Sequence, residues 1–148
     1  MKVAILMGSP RDDEKMAGAS EMLTRFGVEH EVHVMSAHRT PEEVAEFASN
    51  ARSNGFGVII CGAGMAAHLA GVVSAHTTIP VIGVPLSGGI SGGMDALLST
   101  VQMPRGIPVA TVAVDGSANA GVLAVEILSL SNGDLVAQLQ RVRDEGAR

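Results

Sequence analysis

Five short apolar runs recur along the chain, and longer stretches with helical spacing separate them. The runs are rich in β-branched residues, and Gly, Ser or Pro bounds each one, as is typical of buried parallel strands. They cover residues 3–7, 31–35, 58–61, 81–84 and 109–114. This alternation predicts a single α/β domain over residues 1–148, in which right-handed crossovers join five parallel strands and helices form the outer layers.

The stretches between the runs predict six helices. The first extends from Asp12 to Phe26 and stops at Gly27, and the second opens at Thr40 as the cap, with Pro41 at the first helical position. Further helices are expected near residues 66–75, 92–101, 118–130 and 134–145, the last of which is C-terminal.

Charge and cysteine content exclude several classes of function. The net charge of -5 and the isoelectric point near 5.4 provide no general attraction to nucleic acid or to anionic membranes. Cys61 is the only cysteine, which excludes an internal disulfide and a multi-cysteine zinc site. The N-terminal apolar run is too short for a secretion signal, and no segment is long enough for a membrane span. We therefore expect a cytoplasmic protein.

Four loops that follow predicted strands are rich in small residues, at 7–13, 35–41, 61–71 and 84–93. In a parallel sheet, ligands bind beyond the carboxyl ends of the strands, where Gly and Ser allow close approach and helix N-termini attract anions. This pattern favours a phosphate-bearing small molecule. Gly62-Ala63-Gly64 lacks the third glycine and the downstream acid of a dinucleotide site, so a nicotinamide cofactor is not favoured.

His38 and His68 both fall at this edge, whereas the other histidines fit structural positions. A metal would need a third ligand nearby and none is evident, but acid/base catalysis needs only one imidazole. Arg39 is either a surface cation or a phosphate clamp, and its place beside a proline-started helix favours the clamp. Asp12 fits a helix cap and a ligand-binding carboxylate equally well.

Several motifs together resemble the bacterial N5-carboxyaminoimidazole ribonucleotide mutase family of purine biosynthesis. They are "MGSPRDDEKM", "SAHRTP", "GAGMAAHLAG", "PVIGVP", "DALLSTVQMPRGIPVATVAV" and "ANAGVLAVEIL", in order over nearly the whole chain. The resemblance implies a three-layer, flavodoxin-like sheet and a homo-octamer with active sites where subunits meet. It also implies a reaction without metal, biotin or ATP, in which a carboxylate moves from the exocyclic nitrogen of the imidazole ribonucleotide to a ring carbon.

The same resemblance implies roles for individual residues. Arg39 would pair with the 5′-phosphate, Ser9 and Asp12 would hold the phosphate and ribose end, and His38 would shuttle a proton while transient CO2 is trapped. The carboxylate-holding turn would include Gly64, Met65 and Ala66, followed by His68 in a supporting role. Ser36 and Ala37, in the loop of His38, are assigned to substrate binding.

The chain departs from the family pattern at a few positions. Arg11 replaces a phosphate-binding serine, so it either binds the phosphate or points outward. Met65 replaces a glycine beside the CO2 pocket, where it would fill the pocket or turn into the core. Ala70 stands where proline is common, and the loop before Asn119 is shorter than usual. These changes leave open a related ribotide as substrate.

Two other functions remain open. An aminoimidazole ribonucleotide carboxylase of the sister class would use free CO2, but that class usually has a lysine in place of Arg39 and a serine-asparagine pair in the turn before His68. A non-catalytic module could hold a phosphate or a nucleotide at the same edge, and it would not need His38.

Overall fold

Five parallel strands form one sheet in the computed structural model, which describes residues 1–146. Residues 147 and 148, the last two of the predicted domain, lie outside the described residues. The strands are β1 Lys2–Met7, β2 His30–Val34, β3 Phe56–Gly64, β4 Val81–Leu86 and β5 Ala110–Thr111. The helices are α1 Asp13–Arg25, α2 Pro41–Asn50, α3 Leu69–His76, α4 Met94–Val101, α5 Ser117–Ser129 and α6 Gly133–Asp144.

The strand order β2-β1-β3-β4-β5 confirms the predicted flavodoxin-like architecture. Successive side chains of β1 point to opposite faces of the sheet, so both faces can be packed. Ile5 faces α1 and α5, and Leu6 faces α2 and α3. Gly62 in β3 makes room for α1, since a Cβ there would lie 2.3 Å from the sulfur of Met16. Within residues 1–146, no helix is both long and apolar enough to cross a bilayer.

Two helices begin later than the sequence predicts, and backbone conformation explains both. α4 begins at Met94 rather than at residue 92, because Gly92 and Gly93 have φ values of 69° and 107°, outside the helical region. α3 begins at Leu69 rather than at residue 66, because Met65 has a φ of 56° and turns the chain before the helix can start.

The fifth strand is shorter than the predicted run of residues 109–114. Only Ala110 and Thr111 pair with β4 as a ladder. Pro108 has no N–H group, and Pro85 removes a donor from β4 itself. Beyond the ladder, the N–H of Asp115 still donates to the Pro85 carbonyl at 2.9 Å, so the chain stays beside β4 up to the loop.

Candidate active site

A cleft of about 460 Å³ opens beyond the carboxyl ends of β1 to β4, and all four small-residue loops contribute to it. Small-molecule sites typically enclose roughly 300–1,000 Å³. Every residue that the sequence analysis assigned to a site lines this cleft, although the structure alone does not test their roles. These residues are Ser9, Arg11, Asp12, Ser36, Ala37, His38, Arg39, Gly64, Met65, Ala66 and His68.

Two imidazoles meet at the cleft. His38 Nε2 lies 2.8 Å from His68 Nδ1, and the rings are nearly perpendicular, with an interplanar angle of 82°. One nitrogen must donate and the other must accept, so the two rings share one hydrogen. Both residues are exposed in the isolated chain, where a substrate can reach them.

Ser36 organises the turn that presents His38. Its hydroxyl oxygen accepts hydrogen bonds from the backbone N–H groups of His38 and Arg39, each at 3.3 Å. Thr40 closes the same turn, because its hydroxyl accepts from the Ser36 N–H at 3.1 Å. The predicted cap position is confirmed, since Thr40 is the N-cap of α2 and Pro41 follows it, but the Thr40 hydroxyl is used within the turn and makes no cap hydrogen bond.

Arg39 bridges the loops that follow β1 and β2. Its guanidinium donates to the backbone carbonyl of Gly8, which leaves the other N–H groups of the fork for an anion. Arg39 and Arg11 also line a neighbouring cavity of about 450 Å³ on the far side of this bridge. Two guanidinium groups thus stand at one end of the cleft, where they provide a local positive charge in an acidic protein.

Asp12 occupies the N-cap position of α1 without capping it, since its side chain makes no cap hydrogen bond. Burial raises the pKa of Asp12, and a hydrogen bond from the Ser9 backbone together with the charges of Lys15 and Arg39 only partly offsets this. Of the two alternatives for Asp12, the ligand-binding carboxylate therefore fits the geometry better than the cap.

Met65 adopts a left-handed conformation that L residues rarely adopt, with a φ of 56°. Met65 is 65% exposed and lines the cleft, so the alternative in which its side chain turns into the core is wrong. β3 pairs with β4 as far as Gly64 and Leu86, and the next N–H group, that of Met65, belongs to this ladder. Within residues 1–146, the Ala66 N–H has no backbone acceptor, so the turn offers it as a donor to a carboxylate.

The sequence analysis placed the loop after β4 at this edge but assigned no site residue in it. Ser87 and Gly88 of that loop line the cleft. Lys15 reaches them from α1 and donates to the Ser87 carbonyl at 2.6 Å and to its hydroxyl at 2.8 Å. No local pattern signals this contact, because 72 residues separate the partners.

Two of the remaining histidines have structural contacts. His30 is bonded to the Ser20 hydroxyl at 2.6 Å, and His33 pairs with Glu31. His76 ends α3. Within residues 1–146, no three His, Cys, Asp or Glu side chains are grouped so that they could hold a metal ion.

A family model described as AIR carboxylase matches residues 2–148. The chain belongs to the AIR carboxylase family. Among its relatives, N5-carboxyaminoimidazole ribonucleotide mutase of Vibrio vulnificus is 51% identical over 147 residues, which cover 98% of this chain and 91% of that protein. The mutase of the same name from Pyrococcus abyssi is also 51% identical, over 99% of this chain and 84% of that protein.

Other members of the AIR carboxylase family are longer. The chloroplastic phosphoribosylaminoimidazole carboxylase of Vigna aconitifolia is 49% identical over 97% of this chain, but the match spans only 26% of that protein. Among solved structures, the crystal structure of Treponema denticola PurE superposes with a TM-score of 0.89 at 29% identity, covering 98% of this chain and 90% of that one. The fold expected from the sequence is thus the fold of this family.

Proposed function

We propose that the chain is an N5-carboxyaminoimidazole ribonucleotide mutase, an isomerase that converts its substrate into 4-carboxyaminoimidazole ribonucleotide. The observation that carries the proposal is the hydrogen-bonded pair His38 and His68 in a cleft that also holds two arginines and the donor turn at Met65. Relatives about 50% identical and of nearly the same length carry this name.

The reaction needs one group that both gives and takes a proton. The bond between the exocyclic nitrogen and the carboxylate carbon breaks, that nitrogen takes a proton, and CO2 is released into the cleft. The ring carbon of aminoimidazole ribonucleotide then attacks CO2, and loss of the ring-carbon proton restores the aromatic ring. His38 is placed to give the first proton and to remove the second.

The bond between the histidines suits this double task. When neutral His38 donates through Nε2, its Nδ1 is a proton acceptor, and when Nε2 instead accepts from His68, Nδ1 carries the hydrogen and becomes a donor. When Nδ1 of His38 takes a proton from the substrate, Nε2 can pass the shared hydrogen to His68, so His38 stays neutral with its hydrogen on Nδ1 while His68 carries the added proton. The reverse transfer accompanies the donation of that Nδ1 proton back to the substrate and restores the base. His68 is thus proposed to serve as the relay partner of His38.

The remaining cleft residues are proposed to hold the substrate. Arg39 binds the 5′-phosphate with its free N–H groups, and Arg11 lies near enough along the same wall to add a second cation. Asp12 and Ser9 bind at the ribose end, and the Ala66 N–H in the turn at Met65 holds the migrating carboxylate. No metal, biotin or ATP takes part in the proposed chemistry.

The proposal includes a symmetric assembly, most simply the octamer that the sequence resemblance implies. Exposed apolar side chains on α4 support this assembly. Met94, Leu98 and Val101 lie on one side of α4 and are 49%, 51% and 45% exposed. Such a stripe is typical of a subunit contact, and a neighbouring subunit would help to exclude water from the open cleft.

Light scattering at micromolar protein concentration tests the assembly. We expect a single species of several subunits for the parent protein, and a smaller species for Leu98→Asp. A parent protein that scatters as a monomer would remove this part of the proposal. The proposed location is the cytoplasm, because the free thiol of Cys61 is compatible with a reducing compartment.

A carboxylase that uses free CO2 is the second candidate, and the names of the family and of the longer relatives favour it. Absorbance of the imidazole carboxylate product distinguishes the candidates when the purified protein receives either N5-carboxyaminoimidazole ribonucleotide or aminoimidazole ribonucleotide with bicarbonate. The mutase predicts rapid turnover of the first substrate. Product from the second mixture alone supports the carboxylase, and product from neither supports a non-catalytic binding module.

A further inference from the structure

Lys15 connects three loops at the carboxyl edge of the sheet. It lies in the first turn of α1, and its ammonium donates to the carbonyl and the hydroxyl of Ser87 in the loop after β4. The backbone N–H of Ser87 in turn donates to Asp115 Oδ1 at 2.9 Å, which ties in the loop after β5. The third connection is electrostatic, because the Lys15 charge also acts on Asp12 in the cleft.

The contact fixes a wall of the cleft. Ser87 and Gly88 line the cleft, and a Cβ built on Gly88 would lie 3.8 Å from Lys15 Nζ. Gly88 also has a φ of 114°, so glycine is the residue that this turn tolerates. Within residues 1–146, the ammonium of Lys15 is the hydrogen-bond donor that holds the Ser87 carbonyl and hydroxyl toward α1.

We propose that Lys15 is a positioning residue for the substrate of this cleft: it sets the distance between the Ser87–Gly88 wall and the Asp12 carboxylate, and its charge keeps that carboxylate ready to accept hydrogen bonds. The inference rests on the proposed mutase function for the identity of the substrate. Lys15 itself does not line the cleft, so it acts through Ser87 and Asp12 rather than by touching the substrate.

The effect of the Lys15 charge on Asp12 can be measured separately from the effect of the hydrogen bonds between Lys15 and Ser87. Burial raises the pKa of Asp12, and the groups that oppose this are the Ser9 backbone, Lys15 and Arg39. Arg11, His38 and His68 also line the cleft and are unchanged when Lys15 is replaced. Loss of the Lys15 charge raises the pKa of Asp12 further, so substrate binding that needs the carboxylate is lost at a higher pH than in the parent protein.

The experiment compares four proteins: the parent, Lys15→Met, Lys15→Arg and the control Lys2→Met. Lys2 is the only other lysine of the chain, and it pairs with Glu31 and lies over the ring of Phe56, away from the cleft. For each protein, kcat and KM for N5-carboxyaminoimidazole ribonucleotide are measured from pH 5 to 9, and hydrogen exchange is followed for the peptide covering residues 86–93.

For Lys15→Met we expect KM to rise about tenfold, since hydrogen bonds to charged groups have about this effect, with a smaller change in kcat. The acid limb of kcat/KM should move to higher pH, and the Ser87 amide should exchange faster. Lys15→Arg should restore the acid limb, and Lys2→Met should match the parent in all three measurements.

Two outcomes would overturn the inference. One is a Lys15→Met protein whose KM and whose acid limb of the kcat/KM profile match those of an active parent protein. This outcome would leave the proposed mutase function intact. The other is a Lys15→Met protein with unchanged hydrogen exchange over residues 86–93. This measurement does not require catalytic activity, so it would show that Lys15 does not hold the Ser87 loop even if the parent protein is inactive. An inactive parent by itself refutes the proposed function, and the exchange measurement then decides whether Lys15 holds the wall.

Discussion

His38 Nε2 and His68 Nδ1 share a hydrogen bond of 2.8 Å, although 30 residues separate them along the chain. The loop after β2 and the turn after β3 each contribute one ring, and β1 lies between those two strands in the sheet. The pair therefore depends on the strand order, and it would not form if β2 and β3 were placed elsewhere in the sheet.

The first prediction is that His38→Asn abolishes turnover but keeps the fold and ribotide binding. Asn is smaller than His and does not titrate, so the proton transfers lose a contribution of about 10²- to 10⁴-fold in kcat. Steady-state kinetics and calorimetric titration with the product measure the two effects. His76→Asn, at the far end of α3, is the matched control and should keep its activity. Near-normal turnover by His38→Asn would refute the acid/base assignment.

The second prediction is that His68→Ala and His68→Asn both lower kcat by about tenfold, with KM nearly unchanged. Ala removes a neutral hydrogen-bond partner of His38, and Asn removes the ring that takes up the relayed proton. Asn can still bond to His38 Nε2, but it cannot relay a proton. Full recovery of kcat in the Asn variant would mean that His68 only orients His38. Normal kcat in the Ala variant would mean that the hydrogen bond has no part in the reaction.

The third prediction concerns the guanidinium fork. Arg39→Lys keeps the charge but loses the paired N–H groups that can bind a phosphate and the Gly8 carbonyl together. We expect KM to rise by about tenfold or more, as for loss of a charged hydrogen bond, and kcat to change less. An unchanged KM would show that the phosphate is bound elsewhere in the cleft, for instance at Arg11.

The strands of this chain were predictable because a buried parallel strand has a continuous apolar run in its sequence. The edge where the loops converge followed from the parallel topology, and so did the placement of His38 and His68 at that edge. The late start of α3 was not predictable, since it depends on the unusual φ of Met65. Lys15 was also missed, because its partner at Ser87 is distant in sequence and no periodicity records a contact between loops.

The fourth prediction tests the strained turn at Met65. A left-handed conformation costs an L residue about 1–2 kcal/mol, and a β-branched residue tolerates it least. Met65→Gly should be at least as stable as the parent, whereas Met65→Val should be less stable than Met65→Gly by about 1–2 kcal/mol. Urea unfolding measures both.

Because the Met65 side chain is mostly exposed, mutase activity of the Gly variant should stay within a few-fold of the parent. A sharp gain over a nearly inactive parent would instead indicate that Met65 fills the pocket for another substrate.

The most direct test follows the carboxylate itself. N5-Carboxyaminoimidazole ribonucleotide labelled with ¹³C in its N-carboxylate is given to the parent protein in excess unlabelled bicarbonate, and the label in the product is measured by mass spectrometry. The account predicts rapid conversion with most of the ¹³C retained on the ring carbon, because CO2 stays in the cleft between loss and capture. Product that contains only unlabelled carbon, or no product from this substrate, would contradict it.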